Sequence, residues 1–170
     1  ETTDRALVNL CRELILRPDH WRRLKADRAL VPAAVAEILR LRPPVQASIR
    51  QAKVDVELAG STIPAGDKVM VLLGAANHDE AVFDDPASFD LDRFADNSAA
   101  QFTQAGLNRG FGGGAHTCTG SLLAKLEMEV AIEYLLDRFD HMTFAGHAAP
   151  EEGFVLRSAP HLDLLLHPPG

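Results

Sequence analysis

The residues most able to do chemistry lie in one short glycine-rich stretch. Residues 111–120 read FGGGAHTCTG, which brings the imidazole of His116 within two positions of the thiol of Cys118. Glycine lets a backbone come close to a flat ligand, because it has no side chain and tolerates left-handed conformations. A phosphate-binding loop requires Lys-Ser or Lys-Thr after its last glycine, and here Ser121 and Leu122 follow. The sequence therefore excludes that kind of site.

Two other ligand classes fit this stretch less well. A dinucleotide fingerprint can be placed on Gly110, Gly112 and Ala115, but such a fingerprint follows a strand, and residues 101–109 have no strand pattern. A zinc site needs two spaced pairs of cysteine or histidine, and the stretch supplies only one pair. The dinucleotide site stays a minor alternative, which failure to bind a nicotinamide cofactor would remove.

A third mechanism uses Cys118 as a thiolate placed just before a helix. The amino end of a helix carries partial positive charge and free N–H groups, and both favour the thiolate form. Such a thiolate suits haem iron, where it pushes electron density toward cleavage of the O–O bond. The alternative is an inert buried cysteine, the common fate of a lone thiol. Cys11, which lies among Leu7, Leu10 and Leu14, fits that description.

Three helices are predicted before the strands begin. Residues 4–17 show helical periodicity that Pro18 ends, since proline disfavours helix in the residue before it. Asp19 is predicted to cap a second helix that runs to about residue 27. Pro32, at a first-turn position, opens a third helix, which the prolines at 43 and 44 close.

The longest helix is predicted directly after the cysteine, from about Thr119 to Phe139. One face of this helix is predicted to be apolar and to point to the core, and it comprises Leu123, Leu126, Val130 and Tyr134. The opposite side is predicted to be acidic, and it comprises Glu129, Glu133 and Asp137.

Between the helices the pattern changes to that of strands. Residues 54–58 alternate in polarity, and residues 68–73 form an apolar run that is typical of a buried strand. We expect these segments to form one small antiparallel sheet. A further strand is predicted at 162–166. Residues 77–109 have no regular pattern, and an irregular stretch of this length is normally either functional or wrongly assigned as irregular.

The ten residues from Phe111 resemble, at every fixed position, the haem-binding loop of the cytochrome P-450 family, Phe-Gly-x-Gly-x-His-x-Cys-x-Gly. Six of the ten positions are fixed, so the motif is specific. The resemblance implies that Cys118 is the axial ligand of the iron of haem b (iron protoporphyrin IX). It also implies that Gly112, Gly114 and Gly120, with Phe111, bind the cofactor.

Further landmarks of a bacterial family member follow in the family's order. Arg50 precedes the hairpin at 54–66 and resembles the arginine that, together with His116, binds the haem propionates. Charge-assisted bonds of this kind are the strong ones. Glu1 and Thr2 resemble the end of the acid–alcohol motif on the central distal helix, and the resemblance makes them catalytic residues that deliver protons beside bound oxygen.

A charged triad is the last landmark. Glu37 and Arg40 resemble the Glu-x-x-Arg of the helix behind the haem, and Arg93 resembles the meander arginine that completes the triad. Three charges in one buried network would lock the structure under the cysteine loop. Two positions depart from the family pattern: Thr119 stands where an apolar residue is usual, and His78 stands where arginine is more common.

The resemblance implies a mainly α fold with small antiparallel β-sheets. Residues 1–170 are expected to be one C-terminal segment of the cytochrome P-450 fold, from the end of the central distal helix to the long C-terminal helix. The N-terminal half, which supplies the roof of the substrate pocket, is expected to be absent. We therefore expect exposed apolar surface that favours self-association or association with the missing half.

For the complete protein, the resemblance implies a haem-dependent monooxygenase. It would use O2 and electrons from a separate ferredoxin-type donor to hydroxylate or otherwise oxidise a small apolar substrate. Residues 45–49 and those near Phe154 are expected to line the substrate pocket. The alternative function is that of a truncated module, haem-free or catalytically inactive, with a structural or partner-binding role.

The composition and charge argue against two classes of partner, nucleic acids and membranes. The chain has 17 basic against 24 acidic residues and a net charge of −7, so it shows no basic surface for nucleic acid. Its longest apolar run, at 69–76, is too short to cross a bilayer. Two cysteines suit a reducing compartment. We expect a cytoplasmic protein with neither nucleic-acid nor membrane partners.

Overall fold

The computed structural model describes all residues from 1 to 170 and contains five α-helices and six short strands. The helices are α1 (Thr2–Leu16), α2 (Pro18–Ala26), α3 (Val31–Leu41), α4 (Leu73–Ala76) and α5 (Ser121–Arg138). Three further stretches form 3₁₀ turns, at Arg28–Leu30, Ser98–Phe102 and Gly114–His116. The mainly α fold with small sheets is confirmed, and no helix is long and apolar enough to span a membrane.

Proline sets the boundaries of the first three helices. α1 ends at Leu16, and Pro18 occupies the first turn of α2, where its missing N–H costs nothing. The predicted cap at Asp19 is wrong, because Arg17 is the N-cap of α2 and makes no side-chain cap bond. Asp19 lies instead in the first turn, where its charge interacts favourably with the helix dipole. The predicted opening of α3 at Pro32 is confirmed.

The strands pair differently from the prediction. β2 (Val56–Leu58) pairs with β3 (Ser61–Ile63), whereas β4 (Lys68–Leu72) pairs with the unpredicted β1 (Ala47–Gln51). The predicted strand at 68–73 exists as β4, but its predicted burial and the single sheet are wrong. β4 belongs to a two-stranded ribbon, which leaves most of its residues exposed. In this ribbon Arg50 lies opposite Val69.

A third antiparallel pair lies near the end of the chain. β5 (His141–Phe144) pairs with β6 (Leu164–His167), so the predicted strand at 162–166 exists but begins two residues later. The rings of His141 and His167 stack across this pair with centroids 4.1 Å apart.

The core lies where α1, α3 and α5 pack together. α5 contributes Met128, Ile132 and Leu136, all of which are fully buried. The predicted core face of α5 is wrong, because it is exposed at 53–60% of each side chain's surface, and it comprises Leu123, Leu126, Val130 and Tyr134. The helix carries apolar residues on both sides, so its periodicity does not distinguish the side that α3 covers.

The long irregular segment is confirmed between α4 and α5. Residues 77–109 contain turns and one 3₁₀ turn but no strand or α-helix. The segment is nevertheless ordered on the core, because its buried residues pack into it, namely Phe83, Phe89, Leu91, Phe94 and Phe102. The segment therefore has a defined conformation between α4 and the glycine-rich loop.

Candidate active site

The glycine-rich loop folds back on itself just before α5. Gly112 and Gly114 have φ values of +79° and +64°, in the left-handed region that glycine adopts without strain. The Cys118 N–H donates to the Phe111 carbonyl oxygen over 2.9 Å, which closes the loop. α5 begins at Ser121, so the exposed thiol stands three residues before the first helical residue.

Two contacts seat the start of the loop on the core. A Cβ at Gly110 would lie 2.8 Å from the Leu39 carbonyl oxygen, so only glycine lets the loop approach α3 this closely. The Phe111 ring packs against Phe102 with centroids 5.8 Å apart. The Ser121 hydroxyl donates to the Phe102 carbonyl oxygen over 2.9 Å, which ties the first turn of α5 to the same place.

Buried side-chain amides connect α3 to the loop, and sequence reasoning missed them. The Asn77 amide donates to Asn108 Oδ1 over 3.0 Å, and its own oxygen accepts from the Arg109 N–H over 2.6 Å. Asn108 Oδ1 also accepts from the Gly110 N–H over 2.8 Å. The Asn108 amide donates to the Ala36 carbonyl oxygen of α3. Both asparagines are buried, so each bond replaces one that water would otherwise make.

The predicted triad of Glu37, Arg40 and Arg93 is confirmed. Glu37 and Arg40 are completely buried, and two hydrogen bonds of 2.7 and 2.8 Å join their side chains. Arg93 Nε donates to the same carboxylate over 3.1 Å. The other N–H groups of the Arg40 guanidinium donate to the carbonyl oxygens of Asn77, Pro86 and Ser88. The triad therefore holds the irregular segment against α3.

The glycine-rich loop, α1, α5 and β1 border a cavity of about 530 Å³, within the range of cofactor pockets. Seven of the nine predicted site residues line it, namely Thr2, Arg50, Phe111, Gly112, His116, Cys118 and Gly120. Cys118 and His116 from the glycine-rich loop and Arg50 from β1 thus border one space. Sequence reasoning missed most of its walls, which include Leu39, Val71, Leu73, Glu127 and Met128.

Three predicted residues lie outside this cavity. Glu1 is exposed, and its carboxylate lies 3.2 Å from Arg5 Nη2. Gly114 turns its carbonyl oxygen to Thr117 and Gln104. Phe154 is 70% exposed, whereas Val45 and Ser48, from the expected pocket segment 45–49, do line the cavity.

Arg50 lines the cavity and is held there only by contacts within its own strand. The Arg50 guanidinium donates to the Ser48 hydroxyl and, over 2.9 Å, to the Ile49 carbonyl oxygen. Both contacts are local to β1, so the guanidinium can turn to another acceptor. Cys11, in contrast to Cys118, lies in the core as predicted, and burial raises the pKa of its thiol to about 12.

The residues around the cavity fit haem. A thiol at one wall matches an iron that takes a sulfur ligand, and the apolar walls match the edges of a macrocycle. Arg50 and His116 are donors that match two carboxylates. Gly113 also lines the cavity, and an added Cβ there would meet nothing within 4 Å, so this part of the loop leaves open space.

Comparisons with known proteins agree with this geometry. The family model described as cytochrome P-450 matches residues 18–163. Among curated relatives, 20-oxo-5-O-mycaminosyltylactone 23-monooxygenase of Streptomyces fradiae is 40% identical over 138 residues, which are 81% of this chain and 30% of the relative. The chain spans about a third of the length of the curated relatives it matches.

Solved structures extend the likeness to the fold. The crystal structure of P-450BioI in complex with an acyl carrier protein matches with a TM-score of 0.87 and 33% identity, covering 98% of this chain and 41% of that one. The haem domain from Tepidiphilus thermophilus matches with a TM-score of 0.83 and 36% identity, covering 96% and 37%. The motif, the geometry and these matches lead to one conclusion: the chain belongs to the cytochrome P-450 family.

Proposed function

We propose that this chain is the haem-ligating part of a monooxygenase that oxidises a small apolar organic substrate with O2. The observation that carries the proposal is the convergence of Cys118, His116 and Arg50 on one cavity. Family members bind haem, and the Streptomyces fradiae relative is named as a monooxygenase. Electrons would come from a ferredoxin-type partner, which we propose by analogy with the family.

Each converging residue has a distinct role in this proposal. The Cys118 thiolate would ligate the iron, and the loop that the Phe111 carbonyl oxygen closes would fix the sulfur in place. Haem supplies the activation of O2, which the thiolate promotes and which the protein alone lacks. Arg50 and His116 would donate to the propionates and so set the orientation of the ring.

Two residues at the start of α1 would handle protons. Thr2 lines the cavity, so its hydroxyl can hold a proton beside the reacting centre. Glu1 lies one residue earlier and is paired with Arg5, so its carboxylate would have to leave that exposed pair to act on the cavity. An exposed ion pair of this kind contributes little stability, so separating Glu1 from Arg5 would cost little free energy.

A reduced carbon-monoxide difference spectrum, with an intact mass from the same sample, tests the proposal. We expect a strongly red-shifted Soret band, which reports a thiolate ligand. Cys118→Ser should abolish that band, and Cys11→Ala is the matched control because it removes the buried core thiol and keeps Cys118. A colourless protein, or a band that survives Cys118→Ser, would refute the proposal and favour a haem-free module.

A further inference from the structure

A second charge network lies outside the triad and has no role in the proposed haem site. The Glu13 carboxylate is completely buried on α1 and accepts hydrogen bonds from Arg17 and, over 2.6 Å, from Arg42 Nε. Arg42 Nη1 also donates to Glu151 over 2.6 Å, and Arg157 Nε donates to the other Glu151 oxygen over 3.1 Å. The network therefore joins α1, the end of α3 and residues near the end of the chain.

The end of this charge network that lies farthest from Glu13 is a tight hairpin, which we define as residues 151–158. Glu152 and Ser158 exchange two backbone hydrogen bonds of 2.9 and 3.2 Å. Gly153 makes the turn with φ +98°, where an added Cβ would overlap the Leu156 carbonyl oxygen. α1 binds this hairpin at a further point, because Arg5 Nη1 donates to the Ser158 hydroxyl over 3.1 Å.

The hairpin is hydrogen-bonded to a wall of the cavity. The Gln46 N–H donates to the Val155 carbonyl oxygen, and the Arg157 N–H donates to the Pro44 carbonyl oxygen, each over 2.8 Å. Between these two bonds, Val45 pairs with Leu156. Pro44 and Val45 both line the cavity. A continuous series of contacts thus runs from the Glu13 carboxylate to the cavity wall.

We propose that Glu13, Arg42 and Glu151 are positioning residues that set where the wall at Pro44 and Val45 stands, and so which apolar groups the cavity accepts. This proposal rests on the proposed function only in that the cavity holds a ligand. Glu151 lies at the outer edge of the network, with 14% of its side chain exposed, next to the half-exposed Arg157. Its loss should therefore loosen the hairpin and leave the core and the cysteine loop in place.

The test compares Glu151→Gln with Glu152→Gln in the full encoded protein. Glu152 is a suitable control because its side chain is exposed and makes no hydrogen bond. The first measurement is the hydrogen exchange of the Gln46 and Arg157 amides. We expect about tenfold faster exchange in Glu151→Gln alone, the order expected for loss of a charge-assisted hydrogen bond.

The second measurement separates positioning from a merely structural role. Imidazole and 4-phenylimidazole both ligate haem iron, but only the second carries a bulky apolar group that must fit against the wall. We expect Glu151→Gln to weaken 4-phenylimidazole binding about tenfold and to leave imidazole binding and the carbon-monoxide band unchanged.

Each other outcome gives a definite answer. Exchange rates equal to those of the wild type would overturn the positioning proposal, as would equal weakening of both imidazoles or loss of the carbon-monoxide band in Glu151→Gln. If the wild-type protein binds no haem, the proposed function fails, and the exchange rates alone decide whether the network holds the wall.

Discussion

Replacing Glu37 by glutamine tests how much the buried triad contributes to stability. The Glu37 carboxylate accepts four hydrogen bonds, two from Arg40, one from Arg93 Nε and one from the Asp90 N–H. Glutamine has nearly the same shape, so Glu37→Gln leaves the packing intact. Its amide nitrogen, however, is a donor that would face a guanidinium N–H, and the carboxylate's charge is lost.

The geometry gives the expected magnitude. Breaking a fully buried ion pair from one side costs about 3–5 kcal/mol, because it leaves an uncompensated charge in the interior. Glu37 and Arg40 meet that condition, since both side chains have no exposed surface. A loss of about 4 kcal/mol is a large part of the usual 5–15 kcal/mol of folding stability. With a urea dependence of about 2 kcal/mol per molar, the unfolding midpoint should fall by about 2 M.

Tryptophan fluorescence provides the assay. Trp21 is the chain's single tryptophan and is 3% exposed, with its indole N–H bonded to the Asp140 carbonyl oxygen, so unfolding changes its surroundings completely. Glu133→Gln is the matched control, because Glu133 is exposed on α5 and makes no hydrogen bond. A midpoint for Glu37→Gln within about 0.3 M of the wild type would refute the reasoning.

Three further predictions concern other single residues. Iodoacetamide should label only Cys118 in the folded, haem-free chain, since burial raises the pKa of Cys11 to about 12, and two labels before unfolding would contradict this. Gly110→Ala should cost about 1–3 kcal/mol by urea unfolding, while Gly113→Ala, whose Cβ meets nothing, should cost little, and equal midpoints would be contrary evidence. Burial, reinforced by two nearby arginines, lowers the pKa of His20, so the unfolded chain binds its proton more readily. The free energy of unfolding should therefore fall as the pH drops below about 6.5, and His20→Gln should reduce that slope.

Sequence patterns correctly predicted those structures that depend on residues close together in the chain. The loop at 111–120 is one continuous motif, and the turn that presents Cys118 depends on glycines inside it. Prolines predicted the helix boundaries for a similar reason, since their effect on the backbone is local. Arg50 and Thr2 are remote in sequence, and only the resemblance to a family connected them with the loop.

The strand pairing could not be predicted from local signals. Turn residues show where the chain reverses, and they correctly separated β2 from β3. They do not show that this hairpin is nested inside a longer pair of β1 and β4, because that pairing joins segments with 16 residues between them. The apolar run of β4 suggested a buried strand, but the ribbon that it forms with β1 leaves Met70 and Leu72 exposed.

The buried amides show a second limit of sequence patterns. Asn77 and Asn108 have neither the periodicity of a core residue nor the charge of a catalytic one, and polar residues of this type usually lie at the surface. Their value comes from geometry, because each is a donor and an acceptor at once and can connect two backbones. In this fold they connect α3 to Arg109 and Gly110, at the start of the cysteine loop. The thiol is thus supplied by a local motif, but its position depends on amides and charges that only the folded chain brings together.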